Sequence, residues 1–232
     1  MENVLEIRHL NAFYKRNQVL QDINLSVGKG EIVGLVGESG CGKSTLAKSI
    51  VQIGPRTEGE IVRNGKVQMI FQDPYHSLNP SMTIGRILKE PLIIDRIGDN
   101  REMNERVLTM MEKVGLPDTL INRLPSELSG GQRQRVCIGT ALMQSPKLII
   151  ADEPVSALDV TIQAKVLKLL QKLNREEGIA FLFISHDLRV VYELCSRILI
   201  MKDGRIVEQG TDRQIFEDPQ EAYTKRLLSA ML

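Results

Sequence analysis

Cysteine is scarce and scattered. The chain holds three, Cys41, Cys137 and Cys195. They show no ligand spacing, so reduced thiols in a cytosolic compartment are the expectation. An excess of one charge is also missing. Thirty Lys and Arg against 29 Asp and Glu leave a net charge of +1, which excludes nucleic-acid binding driven by bulk charge and leaves only a local basic patch open. No apolar run approaches the roughly 20 residues that a membrane helix needs, so the chain is not expected to span a bilayer by itself. The first residues, MENVLEIRHL, lack the basic-then-apolar pattern of a secretory leader. No internal repeat or low-complexity segment is visible. What is present suits a soluble globular fold: 232 residues, 42% hydrophobic and 25% charged, enough for one sizeable domain or one core with a modest insertion.

Hydrophobic patterning divides the chain into elements. VLQDINLSV (19–27) alternates apolar and polar at Ile23, Leu25 and Val27, as a half-buried strand does. Ile32–Val36 is a short apolar run suited to a strand buried on both faces. Thr45–Val51 reads as helix and Val67–Phe71 as strand. From about Asp73 to Leu128 the texture changes. Pro74, Pro80, Pro91, Pro117 and Pro125 punctuate it and Asn104–Val114 has helical spacing, so a mostly helical insertion is expected. Strand texture returns at Leu148–Ala151 and Ile179–Ile184, with a helix between them carrying Val166, Leu169, Leu170 and Leu173 on one face. Ile198–Met201 and Arg205–Glu208 flank the hairpin turn Lys202-Asp203-Gly204, and short helices close the chain. Strands alternating with helices imply a largely parallel α/β sheet.

Two stretches at strand ends carry chemistry. GESGCGKST, comprising Gly37, Glu38, Ser39, Gly40, Cys41, Gly42, Lys43, Ser44 and Thr45, has the Walker A spacing between a buried strand and a helix. Its glycines let consecutive backbone N–H groups turn inward around a polyphosphate, and the helix N-terminus aims its positive end at the same anion. Lys43 is expected to reach the β- and γ-phosphates and Ser44 to ligate Mg²⁺, so the loop is read as the seat of a nucleoside triphosphate. LIIADE (148–153) is an apolar strand ending in two carboxylates. Asp152 is placed to serve Mg²⁺ as a hard oxygen ligand, and Glu153, one step further, to polarise an attacking water as general base. Cys41, at a helix N-terminus in the loop, is expected to have a lowered thiol pKa and to be labelled by maleimide unless ATP protects it.

Leu128-Ser129-Gly130-Gly131-Gln132 precedes the helical run RQRVCIGTAL. Ser129 can cap that helix while Gly130 and Gly131 expose N–H groups to an anion. This LSGGQ, together with the two stretches above, resembles the ATP-binding-cassette (ABC) ATPases over essentially the whole chain. The resemblance implies a P-loop NTPase (RecA-like) core of α/β class, with a mixed, largely parallel sheet, an N-terminal antiparallel β region and a helical insertion subdomain. It implies a single domain, 1–232, with its core at 1–75 and 140–232 and the helical, signature-bearing part at about 76–139. It also implies MgATP hydrolysis between two such subunits, identical or different, each site closed by Ser129, Gly130, Gly131 and Gln132 of the other. Residue by residue, Tyr14 is similar to the aromatic that stacks on adenine. Gln72 matches the glutamine that senses Mg²⁺ and the attacking water. Asp159, in SALD, matches the loop that crosses the dimer interface. His186 matches the histidine that binds the γ-phosphate and orients Glu153.

QDPYHSLNP (72–80) and Ala222-Tyr223-Thr224 resemble the peptide and nickel importers of that family. The implied partners are transmembrane permease subunits and, for an importer, a solute-binding protein. The implied location is peripheral, on the cytoplasmic face of the cell membrane. Thr140 departs from the family, where many cassettes carry an arginine. The alternative reading is a cassette ATPase of another class: an exporter, a lipoprotein-release ATPase or a soluble cofactor-assembly ATPase.

Overall fold

The computed structural model describes residues 2–229. In chain order, β1 (Asn3–Tyr14), β2 (Asn17–Gly28), β3 (Ile32–Val36), α1 (Lys43–Ile50), β4 (Arg56–Arg63) and β5 (Val67–Ile70) come first. Then follow α2 (Pro74–Ser77), α3 (Ile84–Ile94), α4 (Asn100–Lys113), α5 (Gly130–Leu142), β6 (Leu148–Asp152), α6 (Val160–Glu177) and β7 (Ala180–Ile184). The chain continues through α7 (Leu188–Leu194), β8 (Arg197–Lys202), β9 (Arg205–Thr211), α8 (Asp212–Glu217) and α9 (Ala222–Ser229). Over the described residues these elements form two compact units, one of 2–69, 147–153 and 173–229, the other of Ile70–Pro146 and Pro154–Lys172.

The first unit holds two sheets. One is three-stranded, β2-β1-β4, with both pairings antiparallel. The other is six-stranded, β5-β6-β7-β3-β8-β9. Strands β6, β7, β3 and β8 run parallel and β9 returns antiparallel. Every residue of β3, β6 and β7 is buried, which is why these strands read as unbroken apolar runs rather than as alternation. Strand β1 breaks its own alternation. Its register shifts around His9, which takes a left-handed φ of 50°, and opposite it a side chain at Gly59 would sit 2.4 Å from the His9 carbonyl oxygen. This is a bulged segment that bends the strand.

A single buried cluster joins the two sheets and α1. Leu46, Ala47 and Ile50 pack with Leu5, Leu35 and Leu182. Leu46 and Ile50 are fully buried, and each removes enough apolar surface to contribute about 1.5–3 kcal/mol. The cluster thereby holds the start of α1, and the loop before it, against the carboxyl end of β3.

The second unit is helical. Ile84, Ile87, Leu88 and Leu92 of α3 are buried, as are Val107, Met110 and Met111 of α4 and Val136 and Ile138 of α5. A side chain at Gly139 would meet Leu88 at 3.0 Å and Met110 at 3.4 Å, so glycine there lets α5 approach its neighbours closely. Asp99 caps α4 by accepting from the N–H groups of Arg101 and Glu102, at 2.8 and 2.9 Å, and so the helix begins before Asn104. Pro91, expected to punctuate, lies inside α3. The helices α2, α3 and α7 and the strands β1 and β4 carry no individual signal in the sequence.

Candidate functional site

In the first unit three adjacent strands, β6, β7 and β3, present their carboxyl ends along one edge. In α/β sheets this is the edge where ligands bind. After β3 the chain turns through 37–42 and enters α1 at Lys43. Gly42, the residue before the helix, has φ 112°, a conformation open to glycine and strained for other residues. Gly37 is required for a different reason: a Cβ there would lie 2.2 Å from the Met201 carbonyl oxygen. Glu38, Ser39, Gly40 and Ser44 are exposed, Thr45 is half-buried, and Cys41 is buried.

Lys43 is only 6% exposed. Its ammonium donates to the carbonyl oxygens of Gly37 at 2.7 Å and Glu38 at 2.9 Å. The loop is thus wrapped around its own lysine, with the charge held at the centre of the turn. From outside, the hairpin turn between β8 and β9 grips the loop, because the Gly204 N–H donates to the Cys41 carbonyl at 2.9 Å.

β6 ends on Asp152, 5% exposed, with Oδ1 buried and lacking a hydrogen-bond partner. Burial pushes its carboxyl pKa above the ordinary range. The nearby Glu153 adds to the rise, while the Ser44 hydroxyl and the ammonium groups of Lys43 and Lys48 oppose it. Glu153 follows with a left-handed φ of 47°, held by its N–H donating to the Ile184 carbonyl at 3.0 Å. Strain of this kind in a non-glycine residue costs on the order of 1–3 kcal/mol and concentrates at functional positions. After β7 the chain passes buried Ser185 and presents His186, whose Nδ1 lies 3.1 Å from Glu153 Oε1. The histidine side chain is 61% exposed and the glutamate 15%. A carboxylate paired with an imidazole, beside a buried ammonium and an under-coordinated second carboxylate, can bind a polyanion with its cation and can accept a proton from water.

Of the residues expected at the site, Lys43, Ser44, Asp152, Glu153 and His186 therefore lie on this edge. Tyr14, at the end of β1 in the same unit, is 41% exposed, and its hydroxyl would meet a side chain at Gly54 at 3.5 Å. The rest of the 37–45 loop lies with them in the first unit, whereas Gln72, Ser129, Gly130, Gly131, Gln132 and Asp159 belong to the second. Gln72 is exposed between β5 and α2. Ser129 caps α5 in a reciprocal box: its Oγ accepts from the Gln132 N–H at 3.3 Å, and its own N–H donates to Gln132 Oε1 at 2.9 Å. Gly131 leaves no room for a side chain, since a Cβ would be 2.4 Å from Ile162. Asp159 caps α6, accepting from the Ile162 N–H at 3.0 Å.

The lowered thiol pKa expected of Cys41 is not found. Its side chain is 9% exposed, and burial pushes the thiol pKa up, outweighing the neighbouring Lys43 ammonium that lowers it. Sequence reasoning also passed over Tyr223 as a site residue. The Glu38 N–H donates to its hydroxyl at 3.2 Å, a contact between segments too far apart for any local pattern to reveal.

Comparison with known proteins places the whole chain beside characterised relatives. Residues 20–156 match the family described as ABC transporter. The chain is 45% identical over 252 residues to the oligopeptide transport ATP-binding protein OppF of Bacillus subtilis (strain 168), covering 99% of this chain and 83% of that protein. It is 46% identical over 236 residues to the dipeptide transport ATP-binding protein DppF of Haemophilus influenzae, covering 94% and 72%. Among solved structures it resembles the dimeric post-hydrolysis state of the ATP-binding cassette MJ0796 bound to ADP and Pi. The TM-score is 0.80 at 31% identity, over 90% of this chain and 99% of that one.

Proposed function

The chain belongs to the ABC transporter family, and from that premise we propose that it is the ATP-hydrolysing subunit of an importer for peptides or similar small solutes. It works at the cytoplasmic face of a membrane with permease subunits, a solute-binding protein and a second cassette. Among the described residues no helix is long and apolar enough to cross a membrane, so translocation falls to the partners. The names of the similar proteins, oligopeptide and dipeptide transport ATP-binding proteins, support the choice of solute class.

The observation that carries the chemistry is the Glu153–His186 pair beside buried Lys43 and Asp152 on one sheet edge. In the proposed mechanism Tyr14 stacks on adenine, and the backbone N–H groups of the loop from Gly37 to Thr45 surround the phosphates. Lys43 turns its ammonium to the β- and γ-phosphates. The unpartnered Asp152 Oδ1 fits a cation. Mg²⁺ would be held by Ser44, Asp152 and Gln72, and when bound it neutralises charge on the β- and γ-phosphates. Glu153 accepts a proton from the water that attacks the terminal phosphorus in line, the bond from that phosphorus to the β–γ bridging oxygen breaks, ADP and inorganic phosphate leave, and His186 orients Glu153. The Ser129, Gly130, Gly131 and Gln132 helix start of a second cassette completes each site, with Asp159 at the shared interface.

The reading is tested by phosphate release from MgATP. Glu153→Gln keeps size and hydrogen bonding but removes the base, and a lost general base costs roughly 10²–10⁴-fold in rate. Turnover undiminished in that variant contradicts the assigned mechanism.

A further inference from the structure

The peptide unit between Gly37 and Glu38 is held from both sides. Its carbonyl accepts from the Lys43 ammonium at 2.7 Å, and its N–H donates to the Tyr223 hydroxyl at 3.2 Å. A planar trans peptide points these two groups in opposite directions. A hydrogen bond on one side therefore fixes the direction of the other.

The seat of Tyr223 is built rather than incidental. Its side chain is 7% exposed although it lies near the start of α9. The carboxylate of Glu208, on β9, accepts from the N–H groups of Gln220 and Glu221 at 2.7 and 3.3 Å, fastening the approach to α9. The Lys202 ammonium stands 5.2 Å from the centre of the Tyr223 ring, within cation–π range. The same hairpin turn that supplies Lys202 also holds the Cys41 carbonyl through Gly204. The phosphate loop is thus supported on its outer side by two separate contacts from the carboxyl-terminal third of the chain.

We propose that Tyr223 is a positioning residue for the phosphate loop: its hydroxyl sets the plane of the Gly37–Glu38 peptide and, through that carbonyl, the direction of the Lys43 ammonium. The inference rests on the reading of the loop as the ATP site and adds a residue to it. Without the hydroxyl, the Glu38 N–H loses its partner and the peptide is held from one side only, by the lysine whose direction it is meant to set. The lysine then loses a fixed acceptor opposite the phosphates.

The test is a double-mutant cycle on the full chain, read as Kd for MgATP by displacement of a fluorescent ADP analogue. Tyr223→Phe removes one oxygen and keeps the ring. With Lys43 present it is expected to weaken binding about three- to tenfold, the size of one hydrogen bond. In a Lys43→Ala chain it is expected to change Kd less than about twofold, because the residue it acts through is gone. An equal loss in both backgrounds means that Tyr223 merely supports the fold and overturns the proposal, as does an unchanged Kd with Lys43 present. A parent chain that binds no MgATP overturns the proposed function itself, and this inference with it, before any variant is compared.

Discussion

The role proposed for Asp152 should come at a cost in stability. The residue is 5% exposed and its Oδ1 takes no hydrogen bond from a protein donor, so the carboxylate is buried with one oxygen unpaired by the protein. A buried polar atom left unsatisfied costs about 1–3 kcal/mol, more when charged. The Ser44 hydroxyl and the ammonium groups of Lys43 and Lys48 offset part of this, which places the net penalty near 1–2 kcal/mol on the same scale. Asp152→Asn should therefore stabilise the nucleotide-free chain. At about 2–4 °C per kcal/mol for a protein of this size, Tm should rise by about 2–8 °C in EDTA at pH 7.5. The sign with pH follows from the raised pKa. A carboxyl that holds its proton more tightly when folded carries no penalty below the ordinary carboxylate range. The penalty appears as pH rises through the folded-state value. The gap between variant and parent should then close near pH 4 and open toward neutrality. Adding MgATP should reverse the order, since ligand at a hundred times its Kd stabilises the parent by about 2.7 kcal/mol and the variant gains little. Calorimetry at two pH values with and without MgATP reads all of this. A variant that melts below its parent in EDTA, or a gap that does not change with pH, refutes the reasoning.

The thiols should be inert in the folded chain. Cys41, Cys137 and Cys195 are all buried, and burial pushes Cys137 up to about 12, which lowers its thiolate fraction at neutral pH by about a thousandfold relative to a free cysteine; rapid maleimide labelling that ATP blocks would restore the expectation for Cys41. Arg197 donates to Glu31 through Nε at 2.7 Å and Nη2 at 3.1 Å, and to the Ser26 carbonyl at 2.6 Å, so Arg197→Met should cost about 1–3 kcal/mol at neutral pH in a urea melt. Burial alone would raise the Glu31 pKa, but Arg197 and the Gly28 N–H together hold it below the ordinary range; the loss should thus shrink as pH falls through that lowered value, and a pH-independent loss would count against the ion pair as its cause.

How much of this was legible depended on how local each signal is. GESGCGKST and LIIADE announce themselves because a phosphate loop and a strand-end carboxylate pair are contiguous. β3, β6 and β7 were readable because strands buried on both faces must be apolar throughout. β1 was not, because the bulge at His9 breaks its alternation, and a positive φ at a histidine leaves no mark in composition. Pro91 concealed α3, since proline usually ends a helix rather than riding inside one. At the site, the identity of Glu153 was evident while its left-handed backbone was not. That conformation depends on the carbonyl of Ile184, contributed by a different strand. Tyr223 was visible only as part of a resembling tripeptide. Its contact with Glu38 exists because the sheet brings distant segments to one edge. The thiol of Cys41 was misjudged because the helix N-terminus is a local feature, whereas the burial that outweighs it comes from the packed core.

The central claim, that two cassettes close on MgATP through Lys43 of one and Ser129 of the other, is tested most directly by mass. Glu153→Gln chain should run as a monomer without nucleotide and double in mass by light scattering when MgATP is added, alone or mixed with a sister cassette, and Ser129→Arg should abolish the doubling. A mass that stays monomeric with saturating MgATP in both mixtures, or doubles regardless of Ser129, would contradict it.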